Sequence, residues 1–321
     1  MASSDTNANS IPKPKLHEPG VFPDPIIVPP LFEHRQSIII LHGRGSFAAK
    51  FGPPLLATKA TGSGETIQTA FPNAKIIFPT ASRNRATIYK RSYTHQWFDN
   101  WHLEKHTERQ DLMPKFLRRS VLYIHSLLRA EIEVVGAENV VLWGLSQGCA
   151  TTLVSLLTWD EEPFAAAVGM CGWLPFANVM IDLVQEDNSN DKSSLGDNGD
   201  DPFAHSGNEN DDPFASEYPN FTQEADLDPG FQAVMFLREE LDMGDQKGTV
   251  FRNVSVFLGH GIEDAQVRIE LGRETRRCLQ LLGVDVKMVE YEGLGHWYSE
   301  DMLEEILGFL KGKLKTKGTQ S

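Results

Sequence analysis

Residues 140–157 read Val140-Val141-Leu142-Trp143-Gly144-Leu145-Ser146-Gln147-Gly148-Cys149-Ala150-Thr151-Thr152-Leu153-Val154-Ser155-Leu156-Leu157. The apolar run up to Trp143 predicts a buried strand, the Gly-x-Ser-x-Gly stretch a sharp turn, and the residues from Cys149 onward a helix. This order lifts one serine hydroxyl out at the end of a sheet, where it can attack an acyl carbon. Outward from this elbow, the β-branched run at 37–41 and the apolar-rich stretches at 74–78, 165–170, 250–258 and 284–290 predict further strands. Apolar residues at Phe116, Leu117, Val121, Ile124, Leu127, Leu128 and Ile132 recur at helical period, so 113–135 is a helix with one buried face. Helices are also expected over 266–282 and 300–314, and 47–71 is long enough for a crossover between parallel strands. Mostly non-alternating apolar strands, interleaved with helices, predict an α/β fold: a mainly parallel sheet with helices on both faces.

The chain has 321 residues, 40% of them hydrophobic, which suffices for one α/β domain over 31–315. Residues 1–30 read as an extended, proline-rich N-terminal arm. The formal charge of −14 leaves no surplus of Lys and Arg to neutralise phosphates, so no nucleic-acid partner is expected, and no polybasic membrane anchor either. No stretch of 1–30 has the apolar length of a signal peptide or transmembrane segment. Cys149, Cys171 and Cys278 are odd in number and far apart in apolar contexts, which suits free thiols in a reducing, cytoplasmic compartment. Residues 185–217 hold ten Asp or Glu against a single Lys and supply most of the net charge. They are expected to be a disordered acidic insertion or a long surface loop. Within them Asp200-Asp201-Pro202-Phe203-Ala204 recurs as Asp211-Asp212-Pro213-Phe214-Ala215. Drift of a low-complexity loop explains the repeat; the sharper reading makes Phe203 and Phe214 paired anchors for a peptide-binding partner of 200–215.

A serine alcohol needs a histidine to take its proton and a carboxylate to orient that histidine. In a strand-elbow-helix hydrolase these follow the serine in the order Asp or Glu, then His. The loop after 250–258 offers Gly261-Ile262-Glu263-Asp264, and the loop after 284–290 offers Gly293-Leu294-Gly295-His296. Asp264 is assigned as orienter, with Glu263 as the adjacent alternative, and His296 as general base. Two backbone N–H groups must face the oxyanion; those of Gln147, after the serine, and Arg44, in the Gly43-Arg44-Gly45 loop, are the candidates. The Arg44 side chain is free to steer or clamp an anionic group. His42 and His260, beside glycine turns, read as hydrogen-bonded scaffolding. Trp97, Trp173 and Trp297, with Leu145, are candidates to line an acyl pocket, as is Trp143, although tryptophans also fill cores. No Gly-Lys-Ser/Thr loop, no Gly-x-Gly-x-x-Gly turn and no Cys or His pair at ligand spacing occurs, so neither cofactor nor metal is expected.

Taken together, Leu41-His42-Gly43-Arg44-Gly45, Trp97-Phe98-Asp99, Trp143 to Gly148, Gly172-Trp173-Leu174-Pro175, His260 to Asp264 and Tyr291 to His296 resemble the acyl-protein thioesterase, or carboxylesterase and phospholipase, family of α/β-hydrolases. The resemblance spans about residues 36–312. It implies the α/β-hydrolase fold, a triad at Ser146, Asp264 and His296, an oxyanion hole from Arg44 and Gln147, and no cofactor. It also implies an acyl ester or thioester substrate, an acylated protein or a lysophospholipid among them. Cys149 stands where the family motif has a second glycine, and the acidic insertion has no counterpart in compact members. The expected function is a serine hydrolase working through an acyl-enzyme; the alternative is a partner-binding protein on a hydrolase scaffold that uses the acidic Asp-Pro-Phe insertion.

Overall fold

A computed structural model describes residues 18–105, 107–193 and 228–314. Both Asp-Pro-Phe copies, and with them the partner expected at 200–215, lie outside the described residues. The elements run β1 (Ile26–Val28), β2 (Gln36–Leu41), α1 (Ala48–Ala57), α2 (Ile67–Ala70), β3 (Ala74–Phe78), β4 (Arg83–Ala86), β5 (Ser92–His95), α3 (Pro114–Val135), β6 (Val140–Leu145), α4 (Gln147–Leu157), β7 (Ala166–Met170), α5 (Ala177–Ser193), α6 (Pro229–Glu240), β8 (Ser255–Gly261), α7 (Ile269–Leu281), β9 (Val286–Tyr291) and α8 (Glu300–Lys313). Seven strands form one sheet in the order β1-β3-β2-β6-β7-β8-β9, parallel except for β1 against β3. The two halves of the chain thus wind outward from β2 and β6, as an α/β sheet covered on both faces requires.

Successive residues of a strand point to opposite faces, and the burial follows that alternation. Ile39, Leu41 and Leu142 join the core built by α3, α4, α5, α6 and α7, whereas Ile38, Ile40, Val141 and Trp143 join the core under α1, α2 and α8. Because both faces are covered, the central strands β6 and β7 are buried throughout and read as continuous apolar runs, whereas the edge strand β9 keeps Lys287 and Glu290. In α3, Leu117, Val121, Ile124 and Leu128 are buried along one face.

The structure departs from the sequence reading in several places, helices α5 and α6 among the elements no pattern announced. Residues 26–28 of the N-terminal arm are strand β1, and Phe22 stacks on Tyr123 with ring centroids 4.2 Å apart. Residues 250–253 form a 3-10 turn, so β8 begins at Ser255. A separate hairpin, β4 with β5, was not apparent in the sequence. The first residues of the acidic segment, 185–193, continue helix α5. Among the described residues, no helix is long and apolar enough to cross a membrane.

Candidate active site

The C-terminal ends of the parallel strands open at one edge, the place where α/β sheets bind ligands. Ser146 sits there between β6 and α4 with φ 56° and ψ −119°. A non-glycine residue with positive φ is strained, and its neighbours hold it: the Ser146 N–H donates to the Met170 carbonyl at 2.8 Å. Two glycines make the elbow possible. A Cβ on Gly144 would lie 2.3 Å from the Gly148 backbone, and one on Gly148 would lie 2.5 Å from the Leu41 carbonyl oxygen. The motif therefore records how closely α4 approaches β6 and β2.

His296 arrives from the loop after β9, and Asp264 from the loop after β8. The His296 Nε2 is 2.9 Å from Ser146 Oγ, and its Nδ1 is 2.7 Å from Asp264 Oδ2. These loops are tied together: Ile262 N–H donates to the Tyr291 carbonyl at 2.9 Å, and Glu263 N–H to the Leu294 carbonyl at 3.2 Å. A Cβ on Gly261 would lie 2.1 Å from the Leu294 oxygen, so this contact needs glycine. The thiol of Cys171 donates to the Trp297 carbonyl at 3.2 Å, fixing the chain beside His296.

Asp264 is buried, and Glu263 next to it is exposed, which separates the two carboxylates left open by the sequence. The Asp264 Oδ1 accepts the N–H groups of Gln266 and Val267, each at 2.8 Å. Burial pushes the Asp264 carboxyl up, but hydrogen bonds from His260, His296 and the Val267 N–H outweigh it and hold the group well below the usual carboxylate range. His260 Nε2 lies 2.8 Å from the Val267 carbonyl and 3.4 Å from Asp264 Oδ2, so it braces the turn that carries the carboxylate. His42 is wholly buried; its Nε2 accepts the Ala81 N–H at 3.0 Å and its Nδ1 lies 2.7 Å from the Gly43 carbonyl. Burial pushes its pKa down to about 4. Both histidines are scaffolding, as their glycine neighbours suggested.

The N–H groups of Gln147 and Arg44 have no protein acceptor among the described residues. Gln147 uses its side chain instead to hold the segment after β5: its Oε1 accepts the Trp97 N–H at 2.9 Å, and its Nε2 donates to the Phe98 carbonyl at 2.7 Å. Asn100, which the sequence reading missed, joins the two loops. Its Oδ1 accepts from Arg44 Nη1 at 2.8 Å and from Gln147 Nε2 at 3.3 Å. The only signal for it was its place directly after Trp97-Phe98-Asp99.

A cleft of about 270 Å³ opens onto Ser146 and His296. Leu145, Trp173 and Trp297 are among its lining residues; Lys50, Phe51 and Tyr89 also line it, and no pattern singled them out. Trp97 does not line it, which corrects its assignment to the acyl pocket. Its ring is buried beneath the loop after β2, with Nε1 donating to the His42 carbonyl at 2.7 Å. Trp143 is likewise core.

The chain resembles known proteins in sequence and in fold. The chain is 26% identical over 287 residues to carboxylesterase SOBER1 of Arabidopsis thaliana, covering 88% of this chain and 92% of that protein. It is 21% identical over 296 residues to acyl-protein thioesterase 1 of Gibberella zeae, covering 91% and 97%. The crystal structure of Zea mays acyl-protein thioesterase 2 shares the fold with a TM-score of 0.59 at 19% identity, over 91% of this chain and 99% of that one. The phospholipase/carboxylesterase family profile matches residues 23–186 and 230–314. With a sheet, elbow and loop order of this kind, and a match over most of its length, the chain belongs to the phospholipase/carboxylesterase family of α/β-hydrolases.

Proposed function

We propose that the protein is a serine hydrolase that cleaves carboxylic ester or thioester bonds through an acyl-enzyme. The observation that carries this reading is the continuous line from Ser146 Oγ through His296 to the buried Asp264, at 2.9 and 2.7 Å. In this reading Ser146 Oγ attacks the acyl carbon while His296 Nε2 takes its proton, and Asp264 stabilises the resulting imidazolium. The N–H groups of Gln147 and Arg44 receive the negative oxygen of the tetrahedral intermediate. Its collapse breaks the bond to the leaving alcohol or thiol, which His296 protonates. A water deprotonated by the same histidine then releases the acid and restores the serine.

The names of the relatives support an acylated substrate, an acyl protein or a lysophospholipid being candidates. The cleft, below the roughly 300–1,000 Å³ that encloses drug-sized ligands, supports a short acyl group as the part that is enclosed. The test is labelling with a fluorophosphonate, followed by mapping of the modified residue. Adduct on Ser146, with labelling and ester turnover both lost in Ser146→Ala, is the expected result. Labelling that persists in that variant would overturn the assignment.

A further inference from the structure

The cleft above Ser146 carries positive charge and no negative charge. Arg44 and Lys50 line it, and no Asp or Glu does, in a chain whose net charge is −14. Neither cation has a carboxylate partner among the described residues. Arg44 is half-buried and held entirely by neutral groups: its Nη1 donates to Asn100 Oδ1 at 2.8 Å, and its guanidinium carbon lies 5.2 Å from the centre of the Tyr89 ring. Those contacts fix the side chain without neutralising it, so its remaining N–H donors stay available and already ordered. Asp264 does not offset them, because it lies behind His296 with its oxygens taken by that ring and by backbone N–H groups.

From this unpaired charge beside the reactive serine we infer that the site selects acyl esters or thioesters that themselves carry an anionic group, a carboxylate or a phosphate, within reach of Arg44 and Lys50. This rests on the serine-hydrolase reading and adds the substrate's charge to it. Arg44 supplies an ordered fork suited to either anion. Lys50, exposed in the first turn of α1, supplies a second, mobile charge.

The experiment compares kcat/KM within pairs of substrates that differ by one anionic group. One arm pairs a hemisuccinyl thioester with the butyryl thioester of the same thiol; the other pairs glycerol phosphate monobutyrate with glycerol monobutyrate. At low salt the anionic member of at least one pair is expected to be favoured by about ten- to a hundredfold, the range of a charge-assisted hydrogen bond. The favoured arm tells whether the anion sits on the acyl or the alcohol side. Arg44→Gln and Lys50→Gln are expected to shrink the ratio, Arg44→Lys to restore part of it, and added salt to lower it in the wild type. A loss common to both members reports on the oxyanion loop, not on charge selection, so only the ratio counts. Binding of the same esters to Ser146→Ala, measured by calorimetry, answers the charge question even if no ester is turned over, in which case the hydrolase reading alone fails. A ratio near one in both arms, or one unmoved by Arg44→Gln and Lys50→Gln, overturns the inference.

Discussion

Replacing Asp264 with Asn tests the charge and tautomer logic of the site with almost no change in shape. The Asp264 Oδ1 accepts two backbone N–H groups, from Gln266 and Val267, while Oδ2 meets His296 Nδ1. An Asn amide must keep its oxygen on the two N–H groups, because turning its NH2 there would oppose two donors. The NH2 then faces His296 Nδ1 and makes it an acceptor, which places the ring proton on Nε2, against Ser146 Oγ. In that tautomer the histidine cannot take the serine proton. Relative to wild type, the productive tautomer in the variant lacks the charge-assisted hydrogen bond to the carboxylate, about 1.5–3 kcal/mol, and leaves opposed donors at about 1–3 kcal/mol. The sum, about 3–6 kcal/mol, corresponds to a roughly hundred- to ten-thousandfold lower kcat. The assay is turnover of a short ester together with the rate of fluorophosphonate labelling, with thermal melting to show that the fold persists. Glu263→Gln, altering the exposed neighbour, is the control and should leave turnover unchanged. An Asp264→Asn enzyme within about fivefold of wild type and equally stable would refute the reasoning.

Gly148→Ala should destabilise by about 1–3 kcal/mol and lower turnover, since its Cβ would fall 2.5 Å from the Leu41 oxygen; Gly308→Ala, in open space on α8, should instead gain about 0.5–1 kcal/mol. Denaturant midpoints read both, and equal effects would remove the close-packing account of the elbow. Burial pushes His42 and His125 down to about 4, so both are neutral in the fold. Their unfolded pKa is near 6.5, so the unfolded chain takes up more protons between these values. Stability is complete above about pH 6.5 and falls as the pH drops toward 4, by roughly 3 kcal/mol for each histidine. His125→Gln should flatten that decline by one histidine's share, and an unchanged slope would contradict it. The three thiols are buried, and burial pushes Cys171 and Cys278 up to about 12; an aromatic disulfide reagent should titrate none in the native protein and three after unfolding.

Sequence alone carries the parallel sheet and the serine elbow because both rest on local patterns. A strand buried on both faces favours a continuous apolar run; β6 and β7 are so throughout, and β2 and β3 are so apart from Gln36, Ser37 and Lys75. A serine elbow must have glycines where α4 crosses β6 and β2. What was hidden rests on partners distant in the chain. Strand β1 is three residues among prolines whose only strand partner is β3. The β4–β5 hairpin, Arg83–Ala86 with Ser92–His95, has no apolar alternation, and its turn runs through positive φ at Lys90 and Arg91 rather than through glycine. Trp97 shows the limit from the other side. An indole suits a pocket wall as well as a core, and it is the burial of Trp97 beneath the loop after β2, away from the cleft, that separates the two.

Asn100 links these layers. Local patterns place Gln147 after the serine and Arg44 in the loop after β2, yet nothing in those patterns aligns their N–H groups with each other. One amide oxygen that accepts from both side chains does so across three segments of chain. Asn100→Leu removes that acceptor while keeping similar bulk, so Arg44 and Gln147 lose their common tether, each forfeiting about 0.5–1.5 kcal/mol for a neutral bond and more for the guanidinium. If the two N–H groups act together on the oxyanion, kcat falls in Asn100→Leu while Ser146 stays reactive toward a small fluorophosphonate. A variant that loses neither kcat nor charge selection would mean that the backbone of each loop holds its own N–H in place without the tether.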